Sequence, residues 1–227
     1  MKTRFELWVR LKVIDLVAQT ASITFTEKLD FAGRLHGIVR YAYWDMEAEG
    51  ADPETILGEI DRVIRADSAF TNQNKHLYLL RSADGALSRG DLALEKDFPV
   101  SSGVGGADAP GKADMARKAG AAAGARLFAF DCLIRERRPD RETGYAERLA
   151  SRLGGIALSN VRFGEVWRLI VAAPSREAAL GDVERMLVSR SRREGLLLNP
   201  HYQHYKIIAA AELGEPGRSG ASSPAKG

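Results

Sequence analysis

The sequence predicts an α+β fold made of two tandem copies of one unit, each reading strand, helix, strand, strand, helix, strand, with an antiparallel sheet and both helices on one face. Three observations predict it. Segments about 123 residues apart match one another, apolar residues alternate in the stretches that would be strands, and apolar residues recur at helical spacing between them.

The first strand runs from Phe5 to Leu11, where Phe5, Leu7, Val9 and Leu11 share one face. Its counterpart, 123 residues on, sets Phe128, Phe130, Cys132 and Ile134 in the same alternation. The helix that follows is clean in the second copy, with Ala146, Leu149, Ala150 and Leu153 at i, i+3, i+4 and i+7. In the first copy the stripe is Ala18, Ala21, Phe25 and Leu29, diluted by Ile23, Thr24 and Thr26, whose branched side chains lower helix propensity. Next come Val39-Arg40-Tyr41 and Val161-Arg162-Phe163, offset by 122, each opening into an expected pair of strands. The second helices match best: Leu57 to Ile64 against Leu180 to Leu187, again 123 apart, with every substitution conservative in size and charge. Their buried stripes are Ile56, Ile60, Val63 and Ile64 in one, and Ala179, Val183, Met186 and Leu187 in the other. Asp52 and Ser175 are the expected N-caps, with Pro53 at the first helical position. Each copy closes on an Asn-led extended segment, Asn72 to Leu80 and Asn199 to Ile208, in which Tyr78 and Tyr205 follow their Asn by six residues. The offset there is 127, which places an insertion near Ser191 to Gly195.

These matches divide the chain into a first, diverged repeat over 1–81, a Gly/Ala-rich flexible linker over 82–124, a second repeat over 125–213 and a disordered tail over 214–227. Each unit is similar to ferredoxin-like domains. An open sheet edge and an exposed apolar face on so small a unit predict that the copies pack on each other as an intramolecular pseudo-dimer.

Three segments of the second copy carry a family resemblance. Pro139 and Asp140 lead through Gly144 into an Ala/Leu-rich helix that ends at Gly154; Asn160-Val161-Arg162-Phe163-Gly164 opens the second strand region; Leu197-Leu198-Asn199-Pro200, followed by Tyr205, enters the last strand. In this order and spacing they resemble the PurS family, the small subunit of phosphoribosylformylglycinamidine synthase, with its Asp-x-x-Gly turn, its Val-Arg-x-Gly-Lys segment and its Leu-x-Asn-Pro segment. Gly144 comes one residue later than in the family, and Glu165 stands where the family has Lys. The first copy keeps Val39, Arg40 and Asn72 but lacks the Gly after the Arg and the Pro after the Asn.

The resemblance implies a subunit with no catalytic residues of its own, bridging a PurL-type synthetase and a PurQ-type glutaminase. That complex uses ATP, Mg and glutamine to convert formylglycinamide ribonucleotide to the amidine in purine biosynthesis, and no cofactor is expected on this chain itself. Arg40, Arg162, Gly164, Asn72, Asn199 and Pro200 are the candidates for contact with a partner or a phosphate. The other classes considered are a ferredoxin-like small-molecule sensor and an RNA-binding module, the latter suggested by Tyr41, Tyr43, Trp44 and Tyr205 on a sheet.

Composition narrows the field. With 33 basic against 30 acidic residues the net charge is +3, too small an excess to predict nucleic-acid binding. The N-terminal dozen residues alternate charge with large apolar groups and no long apolar run occurs, which predicts a cytoplasmic protein without a membrane span. The single cysteine, Cys132, lies on the expected inward strand face, so it reads as a core thiol. Gly106 to Lys112 fits the opening of a phosphate loop, but Ala113 stands where a hydroxyl should hold Mg²⁺, and the stretch reads as linker. His201 and His204, three apart on an expected strand, point to opposite faces and make a poor metal pair.

Overall fold

The computed structural model describes residues 2–50, 52–94, 125–138, 140–188 and 195–214. In chain order its elements are β1 (Lys2–Leu11), α1 (Leu16–Glu27), β2 (Leu35–Glu49), α2 (Pro53–Ala66), β3 (His76–Ser82), β4 (Ser88–Gly90), β5 (Arg126–Glu136), α3 (Asp140–Ala150), β6 (Ala157–Ala173), α4 (Arg176–Leu187) and β7 (Gln203–Gly214). Among the described residues the strands form one antiparallel sheet in the order β4-β3-β1-β2-β6-β5-β7. The fold is α+β. The phosphate-loop-like stretch, most of the expected linker and the expected tail beyond Gly214 lie outside the described residues.

The helices begin where side chains can satisfy their first N–H groups. The Asp52 carboxylate accepts from the Glu54 and Thr55 N–H groups with Pro53 beside it, and the Ser175 hydroxyl accepts from Ala178, as the sequence predicts. Asp15 does the same for α1, accepting from Val17 and Ala18. Three of the four expected stripes bury: Ala18, Ala21 and Phe25 on α1, Ile56, Ile60, Val63 and Ile64 on α2, and Ala179, Val183, Met186 and Leu187 on α4. On α3 only Leu149 is buried within the helix; Ala146 is half-buried, Ala150 is exposed, and Leu153 buries just past the helix end, because α3 stops at Ala150.

The two paired strands predicted after each first helix are instead single long strands, β2 of 15 and β6 of 17 residues. Nothing in β2 interrupts the pleat after Gly37, and Gly164, expected at a turn or bulge, sits mid-strand opposite Tyr43. Half of each long strand pairs with the preceding strand of its own half: Val9↔Ala42 to Lys2↔Glu49 for β1, and Ile134↔Glu165 to Arg126↔Ala173 for β5. Along their length β2 and β6 pair with each other, unbroken from Gly37↔Ile170 to Asp45↔Arg162. The sheet therefore forks twice, where β1 leaves β2 beyond Val9 and where β5 leaves β6 beyond Ile134.

The helix side of the sheet holds two cores, and each draws on both halves of the chain. Phe5, Leu7, Trp44, Met46, Ile60 and Phe70 of the N-terminal half pack with Leu149 of α3, with Leu153 just past its end and with Val161. Phe128, Phe130, Cys132, Trp167, Val183 and Met186 of the C-terminal half pack with Ala18, Ala21 and Phe25 of α1. Each first helix thus fills the other half's core. Ion pairs follow the same exchange, Arg34 to Asp182 at 2.8 Å and Arg152 to the buried Asp67 at 3.2 Å. On the opposite face Trp8, Tyr41, Tyr43 and Val166 form a further cluster capped by Leu92. Residues 82–94, grouped with the linker in the sequence, form the turn and short strand β4 that deliver Leu92 there.

Candidate functional site

Arg40 and Arg162, matched in sequence as equal positions, lie on opposite faces of the sheet. The cause is parity. On β2 the even positions Ala42, Trp44 and Met46 face the helices, whereas on β6 the odd positions Val161, Phe163 and Trp167 do, so a match at the even offset of 122 joins residues of opposite orientation. Strand partners give the better alignment: Val9 lies between Ala42 and Tyr78, and Ile134 between Glu165 and Tyr205. The first strands therefore correspond at 125, two residues from the match of Phe5 with Phe128 and still on the same face.

Asn72 and Asn199 do occupy equal places. Each side chain accepts from the backbone N–H two residues on, and each carbonyl accepts from the third and fourth N–H groups. The backbone N–H of Asn72 donates to His76 Nδ1 at 3.0 Å, and that of Asn199 to Gln203 Oε1 at 3.0 Å. Both asparagines build the turn that launches the last strand of their half, a structural duty. Pro200 sits exposed in the second of these turns.

Arg40 is held at the first fork. Its guanidinium reaches Asp15 (Nε to Oδ2, 2.9 Å; Nη2 to Oδ1, 3.3 Å) and Glu165 (Nη1 to Oε1, 3.1 Å). The reversed charge at Glu165 thus has a local partner. Around this pair opens a cleft of about 290 Å³ whose wall is a ring cluster, Trp44 with Phe163 at 5.0 Å, Tyr145 at 5.6 Å and Phe70 at 5.7 Å. His76 also lines it; burial and the neighbouring Lys75 hold its imidazole below the ordinary range.

Asp15 has a second consequence. Its carboxylate both caps α1 and binds Arg40, pinning the chain at that point and turning its neighbours outward. Val13, Ile14 and Leu16 are each 70% exposed, Val17 50% and Ile23 40%. Five large apolar side chains are thus exposed on one short stretch, a concentration of apolar surface that single scattered residues do not make. The corresponding approach to α3 carries the exposed Arg137 and Arg138 instead. Leu16, Val17 and Ile23 fall between the members of the α1 stripe, a signal that the sequence carries and that reading only the stripe overlooks.

The other chemical possibilities that the sequence raises meet geometry that does not serve them. Tyr41 and Tyr43 are buried on one face of the sheet and Trp44 on the other, so the three cannot form a base-stacking platform. Burial pushes the Cys132 thiol well above its ordinary range, keeping it neutral in the core. His201 stands in a turn and His204 on β7, and no group of three metal-ligating side chains occurs among the described residues. No helix among the described residues is long and apolar enough to cross a membrane. Comparison with protein-family models, with curated proteins and with solved structures finds no match to the chain.

Proposed function

We propose that the chain is a non-catalytic, PurS-type assembly subunit of phosphoribosylformylglycinamidine synthase, a fused pseudo-dimer working in the cytoplasm. It bridges a PurL-type synthetase and a PurQ-type glutaminase; ATP, Mg and glutamine are used by those partners. The observation that carries the reading is the apolar surface at Val13, Ile14, Leu16, Val17 and Ile23, present on one half and replaced by Arg137 and Arg138 on the other. Two fused copies that no longer need identical surfaces can each serve a different partner. Support also comes from the helix exchange between halves and from the matched turns at Asn72 and Asn199.

The test is co-purification with the PurL-type and PurQ-type proteins of the same organism, with glutamine and nucleotide saturating. Capture of at least one partner is expected, and Ile14→Asp with Leu16→Asp should abolish it while leaving the melting temperature unchanged. Capture of neither partner by the wild-type chain defeats the reading.

A further inference from the structure

We propose that the sheet face carrying no helix among the described residues binds a small phosphorylated molecule in a pocket of about 450 Å³. The pocket lies beneath the second fork, on the opposite side of the sheet from the apolar surface, and it stands independently of the assembly role. Its size suits a small-molecule ligand.

Charge is what distinguishes it. Four cationic side chains line the pocket, Arg4, Arg135, Arg162 and Lys206, against two carboxylates, Asp45 and Glu47. Both carboxylates are already engaged. Asp45 takes two bonds from Arg4, at 2.6 and 3.0 Å, and one from Arg135 at 3.4 Å, while Glu47 accepts from the Asn160 amide at 2.7 Å. Arg162 and Lys206 are exposed and form no ion pair with a described residue. Arg135 adds a buried Nε that lacks an acceptor. His204 stands at the same wall.

The backbone is shaped for this too. A register shift between Asp45 and Glu47 bulges β6, and Asn160 at its centre adopts φ +52°, a left-handed conformation unusual for a residue other than glycine. Strain of this sort collects at ligand sites. The bulge sets Arg162 directly opposite Asp45.

Several guanidinium and ammonium donors converging from β1, β5, β6 and β7 match the three oxygens and double charge of a phosphate monoester or a diphosphate better than a single carboxylate. A nucleic-acid backbone fits poorly, because Asp45 and Glu47 would oppose a continuous run of phosphates.

Calorimetric titration of the full chain with inorganic pyrophosphate and with AMP, at low salt, tests the site. Saturable binding of at least one probe is expected, weakening as salt is added. Arg162→Ala should weaken it by about tenfold, the loss of one charge-assisted contact, and Lys206→Ala should weaken it as well. Arg89→Ala, on the edge strand β4, should leave it unchanged, and all three variants should melt with the wild type. Failure to bind either probe, equal affinity in wild type and Arg162→Ala, or tighter binding of a single-stranded oligonucleotide than of both probes would overturn the proposal.

Discussion

At Gly164 there is no room for a side chain: a Cβ there would stand 2.8 Å from the Ile134 carbonyl oxygen and 2.8 Å from Leu133 Cδ1. Gly164→Val must therefore push β5 away from β6, an overpacking that costs about 1–3 kcal/mol. Arg162→Ala, one pleat away and exposed, should stay within about 0.5 kcal/mol. Thermal melts that show equal loss for the two would contradict this account. Sequence pattern alone marks Gly164 as special but for the wrong reason, since close approach between strands has no local signature. The Asn72 turn carries a pH prediction. His76 Nδ1 must stay unprotonated to accept from the Asn72 N–H, and burial already holds the ring below its ordinary value of 6.5. A depressed histidine favours folding at pH above that value, and the contribution fades as pH falls through the folded-state pKa. Gln203 performs the same task in the second half and does not titrate. His76→Gln should thus keep the fold and reduce the loss of melting temperature on acidification from neutral pH, with His36, also depressed by burial, and at lower pH the depressed carboxylates Asp52, Asp84 and Glu177 contributing to what remains. An unchanged acid slope in the variant would show that the turn histidine is not coupled to stability.

The element that departs furthest from its own neighbourhood is α1. Phe25 is fully buried against Phe31, in the core that also holds Phe128, Cys132 and Trp167 of the other half. Phe25→Ala should cost about 3–5 kcal/mol. Hydrogen exchange should show the lost protection in β5 and β6 at least as strongly as in β1 and β3; protection lost only in β1 and β3 would mean that the helix belongs to its own half. The α1 stripe is legible as Ala18, Ala21, Phe25 and Leu29 because periodicity reports which face is buried. It does not report against what. The same limit explains β2 and β6: alternation announces strands in the right places, but whether a long alternating run folds back or continues depends on partners supplied by the other half. The caps Asp52 and Ser175 need no such information, being satisfied within their own first turn.

For the whole molecule, two halves that exchange first helices and share a seam from Gly37↔Ile170 to Asp45↔Arg162 cannot part without opening both cores. The matched segments are visible in sequence because the second helices and the Asn turns keep their residues; the packing of each first helix in the other half's core is not, because each half's apolar pattern is the same whichever core it fills. The six candidate residues split along the same line. Asn72 and Asn199 are paired turn builders, whereas the apolar surface beside Asp15 emerges only once Arg40 is seen to pin that carboxylate. Cutting the chain between the halves probes whether their first helices are exchanged. A protease site engineered at Gly105 severs the covalent link between the halves. Light scattering after complete cleavage, at low micromolar concentration, should return the mass of the uncut chain, with cooperative unfolding retained. Two separated halves, each still folded, would contradict it.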